Sequence, residues 1–361
     1  MNKIQAWQML KVGQPFQQST IPLSALSPTD VLVRVTGCGV CHTDLGFLYE
    51  GIRTVKAPPL TLGHEISGWV EDTGVEAKSW SGQAVIVPAV LPCGECDLCK
   101  KGRGTICRQQ KMPGNHIDGG FASHVVVPSS NLCSVPVKDD AALLGDSGVT
   151  LRELAVIADA VTTPYQAVQN SGLAAAGDLA IFIGVGGIGG FGVQIAKALG
   201  ARVVAIDVDD RRLQVISQFG ADVTYNPKQM DKKELRKAIH SFVSENSLSP
   251  YEWKIFETSG SKVGQELAFS LLTYGATLSV VGFTMETIEL RLSNLMAFDA
   301  RAIGNWGCHP KYYPEVLNLV QKGRIKLAPF VQTFPLSQIN AIFDQVHCRE
   351  IDKRPILIPD F

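Results

Sequence analysis

Four cysteines lie close together in the sequence, at Cys93, Cys96, Cys99 and Cys107, with the spacing C-x2-C-x2-C-x7-C. Four thiolates at such short spacing can complete a tetrahedral zinc site, which stabilises a loop that has no core of its own. The alternative is an iron–sulfur cluster, whose bacterial sequence run ends in C-x3-C-P. Here the last gap is seven residues and Arg108 follows the fourth cysteine, so the spacing predicts a structural zinc site.

A second segment, Cys38-Gly-Val-Cys41-His42, matches the C-x-x-C-H attachment sequence of c-type haem. Such haem is attached outside the cytoplasm, and the N-terminal sequence lacks the apolar core of an export signal, which excludes this interpretation. A second interpretation, a redox dithiol formed by Cys38 and Cys41, remains an alternative, although the segment lacks a thioredoxin-like strand and helix. The third interpretation joins Cys41 with His64, of a Gly-His-Glu triplet, at a catalytic zinc, which needs three protein ligands and an open position.

The segment 184–189 has the sequence G-V-G-G-I-G, a G-x-G-x-x-G motif that follows a predicted strand and begins a predicted helix. In that context one glycine permits a tight turn, one lets the backbone approach a pyrophosphate, and one lets the helix pack against the strand. The N–H groups at the start of the helix attract the phosphates. The motif therefore predicts a dinucleotide site contacted by Gly184, Gly186, Gly187, Ile188 and Gly189.

Asp207 ends the next predicted strand, at the position where a carboxylate accepts hydrogen bonds from the adenosine ribose hydroxyls. The same carboxylate repels a 2′-phosphate, which favours NAD over NADP. Arg211 and Arg212 keep NADP as an alternative, because an arginine can accommodate that phosphate. Of the two arginines, we expect Arg212 to contact the cofactor.

Two sequence patterns predict the elements that position these groups. Up to about residue 135, short β-branched runs at 30–35, 84–90 and 124–127 are separated by Pro and Gly turns, which predicts a small β-rich domain. From about 160 to 304, strands predicted at 179–183, 202–206, 253–257 and 277–281 alternate with helices predicted at 190–199, 210–219 and 231–240. This alternation is typical of a parallel sheet covered by helices on both faces.

The composition excludes several classes of protein. With 33 Lys+Arg against 34 Asp+Glu and 7% aromatic residues, the chain offers neither the positive field nor the stacking side chains of a nucleic-acid-binding protein. No apolar run reaches the roughly 20 residues of a membrane span, so we expect no membrane partner and a cytoplasmic location. Nine cysteines, an odd number in short spacings, indicate metal binding or catalysis rather than disulfides.

The motifs occur together in a recognisable order: GVCHTD at 39–44, GHE at 63–65, the four-cysteine lobe, GGFA at 119–122 and the glycine loop. This pattern resembles the zinc-containing medium-chain alcohol dehydrogenases over essentially the whole chain. The resemblance implies an α/β fold with a GroES-like, β-rich catalytic domain at 1–160 and 305–361 and a Rossmann domain, a doubly wound parallel sheet, at 161–304. It also implies NAD, two zinc ions per chain, one catalytic and one structural, and an active site in the cleft between the domains.

Carried over residue by residue, the resemblance assigns Cys41, His64 and Asp159 as ligands of the catalytic zinc. Asp159 is placed by its interval before the segment Thr-Pro-Tyr at 163–165. The family usually has Cys or Glu at this third position, so Asp is a departure. Aspartate is nevertheless an accepted zinc ligand, and its oxygen is a harder donor than sulfur, so we expect a stronger Lewis acid.

Three neighbours of the ligands also correspond to family residues. Thr43 corresponds to the hydroxyl that takes the substrate proton, Asp44 to the acid that holds a ligand histidine, and Glu65 to a carboxylate that can approach the metal. Many family members pass the proton on to a histidine where this sequence has Gly46. The resemblance therefore implies a proton exit through water or through another group.

The resemblance extends to the cofactor. His42 and Arg354 correspond to groups that contact the cofactor phosphates. Thr163 corresponds to a residue beneath the nicotinamide. These residues lie far apart in the sequence, so the resemblance implies that the fold brings them to one cofactor.

Three further stretches, at 45–47, 159–165 and 292–308, are similar to family members that oxidise an allylic cyclic hydroxyacyl-CoA thioester in the anaerobic degradation of aromatic compounds. The resemblance thus implies a small-molecule substrate, a CoA thioester, and a homo-oligomer, either a dimer or a tetramer. One alternative is a dehydrogenase of another cyclic or secondary alcohol. The other is a zinc-independent enoyl or quinone reductase, which would not need Cys41, His64 and the four-cysteine lobe together.

Overall fold

The computed structural model describes residues 3–172 and 177–361, and the expectation about an export signal involves residues 1 and 2, outside this part of the chain. In chain order, the described strands are β1 Lys3–Met9, β2 Gln17–Pro22, β3 Asp30–Gly39, β4 Leu60–Thr61, β5 Glu65–Thr73, β6 Ala84–Val87, β7 His124–Pro128, β8 Cys133–Ser134, β9 Leu179–Ile183, β10 Arg202–Ile206, β11 Val223–Tyr225, β12 Lys254–Glu257, β13 Thr277–Val280, β14 Arg301–Gly304, β15 Val331–Pro335 and β16 Arg354–Ile358. The described α-helices are α1 His42–Leu48, α2 Asp97–Lys100, α3 Thr162–Asn170, α4 Gly189–Ala198, α5 Asp210–Ser217, α6 Lys232–Glu245, α7 Lys262–Ser270, α8 Ser293–Ala297, α9 Tyr313–Gln321 and α10 Ile339–His347. Within this part of the chain, every helix is too short or too polar to cross a membrane.

Two compact units make up the chain. The first comprises Met1–Thr162, Gly307–Gly323 and Leu327–Phe361, and the second comprises Thr163–Trp306 and Arg324–Lys326. The sequence places the two domain boundaries after residues 160 and 304. The short piece Arg324–Lys326 belongs to the second unit. There the Gln194 side chain accepts a hydrogen bond from the Lys326 N–H at 2.7 Å and donates one to the Lys326 carbonyl at 3.3 Å.

The first unit is β-rich, as the sequence predicts. One sheet has the order β2-β1-β4, and a larger one has the order β15-β16-β3-β5-β6-β8, with β7 also paired to β3. Side chains alternate between the two faces of a strand, so Val31, Val33 and Val35 of β3 enter the larger apolar core. Leu32 points the other way, into a small core with Ile4.

The second unit contains a six-stranded parallel sheet with the order β11-β10-β9-β12-β13-β14. Its central strand β9 is buried at every position, which explains why the sequence shows an unbroken apolar run there. The strand order reverses beside β9, and the glycine loop begins where β9 ends. This is the doubly wound Rossmann arrangement, and it confirms the predicted fold class.

Several described strands differ from the expectation, and two of them show a physical reason. The strand predicted at 84–90 ends at Val87 because Pro88 has no N–H to donate to a neighbouring strand. Strand β2 has no counterpart in the sequence analysis, since it is mostly exposed and polar and gives no alternating apolar signal. It pairs with β1 over six residues, from Lys3 opposite Pro22 to Gln8 opposite Gln17.

Candidate active site

The four cysteines of the lobe converge on one point. Their sulfur atoms are separated by 3.5 Å for Cys107–Cys93, 3.6 Å for Cys96–Cys99, 3.7 Å for Cys96–Cys107 and 3.9 Å for Cys93–Cys99. Two sulfurs bound to one tetrahedral zinc lie about 3.8 Å apart, given Zn–S bonds of about 2.3 Å. Hydrogen bonds from the backbone of Glu95 and Cys96 lower the pKa of Cys93 to about 7. The lobe therefore fits a zinc ion.

Cys41, His64 and Asp159 come together from separate parts of the first unit. Cys41 is the N-cap of α1, His64 directly precedes β5, and Asp159 follows a 3-10 helix, Glu153–Ala158. Asp159 Oδ2 lies 3.5 Å from Cys41 Sγ and 3.7 Å from His64 Nε2. Around a tetrahedral zinc with ordinary bond lengths, those separations are about 3.5 and about 3.3 Å. The donor set and its spacing fit a zinc ion.

Asp44 connects the two segments that carry Cys41 and His64. Its Oδ2 accepts from the Cys41 N–H at 3.0 Å, and its Oδ1 accepts from the Gly63 N–H at 3.1 Å. Oδ1 also lies 3.4 Å from His64 Nδ1, the ring nitrogen that faces away from Asp159. Although burial lowers it, the negative charges of Asp44 and Cys41 raise the pKa of His64 well above its ordinary value. The buried centre thus favours a positive charge.

Glu65 is completely buried, and both of its carboxylate oxygens accept hydrogen bonds. The Arg354 guanidinium donates to Oε2 at 2.8 Å and to Oε1 at 2.6 Å, and the Ala160 N–H donates to Oε1 at 3.0 Å. Burial raises the pKa of Glu65, while the charge of Arg354 opposes that rise. The carboxylate predicted to approach the metal and the arginine predicted at the cofactor phosphates therefore bind each other.

The hydroxyl predicted to take the substrate proton lies beside a predicted ligand. Thr43 Oγ1 is 3.8 Å from Cys41 Sγ, one position beyond the start of α1. Further along that helix, a Cβ at Gly46 would come within 2.7 Å of Ile52 Cδ1. The position that usually carries the relay histidine is therefore filled by a neighbouring side chain.

The structure argues against a redox dithiol. Cys38 lies in β3 with 0% exposure, and burial raises the pKa of its thiol well above the ordinary value. Its sulfur packs against the backbone at Gly63 and Gly120, where an added Cβ would lie 2.6 and 2.8 Å away. Cys38 is thus a core thiol, and Cys41 alone serves the centre.

In the second unit, the glycine loop has the conformation that its motif predicts. Gly184 has a φ of 85°, a left-handed value that favours glycine. A Cβ at Gly189 would lie 1.9 Å from the Gly184 oxygen and 2.6 Å from Thr258 Oγ1, so helix α4 approaches β9 too closely for any side chain. At Gly186 the nearest atom would be Arg212 Nη1, at 3.3 Å. Gly187 is exposed and Ile188 is half-buried, so this side of the loop is accessible to a ligand.

Asp207 follows β10 beside the glycine loop. Its Oδ2 accepts from the Val185 N–H at 2.8 Å and its Oδ1 from the Asp209 N–H at 3.0 Å. Arg212 lies near the loop, and its Nε is buried without a hydrogen-bond partner among the described residues. Arg211 instead pairs with Asp209 at 2.9 Å.

The remaining predicted cofactor residues are His42, in the first unit, and Thr163, in the second. Desolvation lowers the pKa of His42, and the nearby charges of Arg354 and Arg349 lower it further, although Glu50 opposes them. Thr163 is buried, and its carbonyl accepts from the Asn305 side chain at 3.1 Å. The structure thus buries Thr163 in the second unit and leaves His42 exposed at the start of α1.

Sequence reasoning missed Tyr313, which is fully buried and donates its hydroxyl proton to the Ala158 carbonyl, directly before Asp159. The two residues are 155 positions apart. Nothing in the local sequence around Tyr313 distinguishes it from an ordinary core aromatic residue. Only the tertiary structure places it beside a predicted ligand.

Comparisons with known proteins match both parts of the chain. Residues 27–137 match the family described as alcohol dehydrogenase GroES-like domain, and residues 187–322 match the family described as zinc-binding dehydrogenase. An alcohol dehydrogenase of Geobacillus stearothermophilus is 31% identical over 353 residues, which are 96% of this chain and 97% of that protein.

Solved structures share the fold. An alcohol dehydrogenase from Thermotoga maritima has a TM-score of 0.86 at 24% identity, covering 99% of this chain and 100% of its own. A protein described as a zinc-binding dehydrogenase from Sinorhizobium meliloti 1021, solved with NADP, has a TM-score of 0.82 at 23% identity, with 99% and 100% covered. Together with the matches in sequence, these findings show that the chain is an enzyme of the zinc-containing medium-chain alcohol dehydrogenase family, a family of NAD-dependent oxidoreductases.

Proposed function

We propose that the chain oxidises 6-hydroxycyclohex-1-ene-1-carbonyl-CoA to the 6-oxo thioester with NAD, in the anaerobic degradation of benzoyl-CoA. This is the reaction of 6-hydroxycyclohex-1-ene-1-carbonyl-CoA dehydrogenase, which the chain resembles at 45–47, 159–165 and 292–308. The observation that carries the dehydrogenase activity is the convergence of Cys41, His64 and Asp159 within 4.8 Å. The assignment of a CoA thioester as the substrate rests on the resemblance of these three stretches.

We propose that Cys41, His64 and Asp159 hold a catalytic zinc and that the four-cysteine lobe holds a structural zinc, giving two ions per chain. The supporting observations are the donor types and their separations of 3.5 to 3.9 Å. When bound, the catalytic zinc supplies a Lewis acid that lowers the pKa of the substrate alcohol, and NAD accepts the carbinol hydrogen as hydride.

The side chains around this centre handle the proton and the ligands. Thr43 takes the alcohol proton as the first group of a relay, and water or another group then carries it outward, because Gly46 offers no side chain. Asp44 holds the backbone next to Cys41 and His64. Glu65 contributes through its hydrogen bonds rather than as a free carboxylate. With NAD bound, the overall reaction would convert the alcohol to a ketone, reduce NAD to NADH and release one proton.

We propose that the glycine loop binds the pyrophosphate of NAD through Gly184, Gly186, Gly187, Ile188 and Gly189. Asp207 lies beside this loop, where its carboxylate can accept from the ribose hydroxyls, which supports NAD over NADP. The guanidinium of Arg212, whose Nη1 lies near Gly186, offers a further donor there. His42 and Arg354 are assigned to the phosphates and Thr163 to the nicotinamide by the family resemblance.

We further propose a homo-oligomer in the cytoplasm, a dimer or a tetramer. Strand β14 ends the sheet order, and its outer edge lacks a partner among the described strands. Large apolar side chains in the segment that precedes it in the chain are exposed, including Met285 at 70%, Leu292 at 67% and Met296 at 78%. An open edge with exposed apolar side chains is typical of an interface. All nine cysteines are free, which supports a reducing compartment.

The test is NADH formation, followed by ultraviolet absorbance, from NAD with the CoA thioester and, separately, with simple cyclic and secondary alcohols. The proposal expects turnover of the thioester at a kcat/KM at least about 100-fold above that of the plain alcohols, and loss of both activities in Asp159→Asn. Turnover of plain alcohols alone would remove the thioester assignment and leave the dehydrogenase. Asp159→Asn with full activity would contradict the metal centre, as expected for a zinc-independent reductase.

A further inference from the structure

Hydrogen bonds hold the peptide groups on both sides of Asp159. The carbonyl of Ala158, directly before it, accepts from the Tyr313 hydroxyl. The N–H of Ala160, directly after it, donates to Glu65 Oε1 at 3.0 Å. Tyr313 and Glu65 are both 0% exposed, so water does not compete for these bonds. The backbone of Asp159 is therefore fixed from two directions.

Each of the two partners is itself held in place. The Tyr313 hydroxyl also accepts from the Ala89 N–H at 3.3 Å, and the same N–H lies 3.3 Å from the Ala158 oxygen. Glu65 is bound at both oxygens by Arg354 and directly follows the ligand His64 in the chain. Neither partner can turn away from Asp159 without breaking a second buried bond.

The side chain of Asp159 makes this fixed backbone important. An aspartate carboxylate has only two side-chain torsions, so the position of its oxygens follows the position of its backbone closely. Oδ2 lies 3.5 Å from Cys41 Sγ and 3.7 Å from His64 Nε2, and a shift of the backbone would change both separations together. Groups that orient metal ligands in this way affect metal affinity even though they do not touch the metal.

We infer that Tyr313 and Glu65 form a clamp on Asp159, defined by the Tyr313–Ala158 and Ala160–Glu65 hydrogen bonds, and that the clamp sets the zinc affinity of the catalytic centre. This inference rests on the proposed zinc site. Tyr313 and Glu65 act as positioning residues, because their contacts reach the backbone around Asp159 and the carboxylate of Asp159 reaches the metal. The clamp lets an aspartate serve where the family usually has Cys or Glu.

The test compares zinc affinity in Tyr313→Phe and in the matched control Tyr225→Phe. Tyr225 also donates its hydroxyl to a backbone carbonyl, that of Ala238 at 3.2 Å, but in the second unit. Zinc release is measured by competition with a chromophoric chelator. The zinc ion that the original protein releases and that Asp159→Asn lacks is assigned to the catalytic centre. The clamp predicts that Tyr313→Phe raises the zinc Kd there by about 10- to 100-fold, with a changed absorption spectrum of the cobalt-substituted centre. The zinc Kd of Tyr225→Phe is expected to stay within about twofold of that of the original protein.

An unchanged zinc Kd and cobalt spectrum in Tyr313→Phe would overturn the clamp while leaving the zinc site intact. An original protein that holds no Asp159-dependent zinc would overturn the proposed site and the clamp together. If Tyr313→Phe does not fold, the comparison of Glu65→Gln with Glu65→Leu decides the question. Both substitutions remove the charge, but only glutamine keeps an acceptor for the Ala160 N–H. The clamp predicts that Glu65→Leu binds zinc at least about tenfold more weakly than Glu65→Gln does. Equal zinc affinities in the two variants would contradict the clamp.

Discussion

Glu65 and Arg354 are 289 positions apart in the sequence, yet the Arg354 guanidinium donates to both carboxylate oxygens of Glu65, at 2.8 and 2.6 Å. The side chains are 0% and 7% exposed. This pair joins β16, near the end of the chain, to the start of β5, beside the predicted ligand His64. The C-terminal segment is therefore part of the structure that supports the proposed metal centre.

Removing one member of this pair leaves a buried charge without a partner. We expect Arg354→Ala to destabilise the first unit by about 3–5 kcal/mol, because the Glu65 carboxylate stays buried. In the double variant Glu65→Gln/Arg354→Met no charge remains, so we expect a smaller loss. The measurement is the midpoint of thermal unfolding for both proteins. A double variant less stable than Arg354→Ala would contradict this account of the pair.

Two glycines of the cofactor loop should respond differently to alanine. At Gly189 a Cβ meets backbone at 1.9 Å, so Gly189→Ala should lower the stability of the second unit by about 1–3 kcal/mol or more. At Gly186 the nearest atom is a flexible arginine nitrogen at 3.3 Å, so Gly186→Ala should fold normally but bind NAD about tenfold or more weakly. Calorimetry of unfolding and of NAD binding separates the two effects. Normal NAD affinity in a folded Gly186→Ala protein would argue against pyrophosphate binding at this loop.

The cofactor preference should depend on Asp207. We expect Asp207→Asn to reduce the preference for NAD over NADP by about 10- to 100-fold, because it removes a charge that bonds the ribose and repels a 2′-phosphate. Asp222→Asn is the matched control, since Asp222 also accepts from a backbone N–H, that of Val203 at 2.8 Å. The ratio of kcat/KM for the two cofactors is the measurement. Equal ratios in Asp207→Asn and Asp222→Asn would contradict the role of Asp207.

The proposed oligomer should depend on the exposed side chains in the segment that precedes β14. We expect Met296→Glu to shift the protein toward smaller species, because it places a charge in an apolar interface. Val75→Glu alters a residue of similar exposure, 71%, in the first unit and should leave the molar mass unchanged. Light scattering of the eluting protein gives both masses. A monomeric original protein would refute the proposed oligomer.

Local sequence predicts the parallel sheet and the convergence of the four cysteines well. The unbroken apolar run of β9 marks a strand buried on both faces, and the four-cysteine spacing predicts a zinc lobe because all the predicted ligands lie in one loop. The G-x-G-x-x-G motif is also local, since strand, turn and helix follow each other directly. In each case the residues that act together are close in the sequence.

Other parts of the site depend on contacts over long distances. Asp159 has no local signal and is found only through its interval to Thr163 in a known family pattern. Tyr313 and Arg354 touch the ligand segments from 155 and 289 positions away, so no spacing rule could reveal them. Such contacts form only when the C-terminal segments return to the first unit.

The count of zinc ions per chain tests the central claim most directly. The original protein is expected to hold two, Asp159→Asn one, and Cys107→Ser one, because each substitution removes a ligand from a different site. Mass spectrometry of the metal in dialysed protein gives these numbers. One zinc in the original protein, or two in Asp159→Asn, would contradict a catalytic zinc centre formed by Cys41, His64 and Asp159.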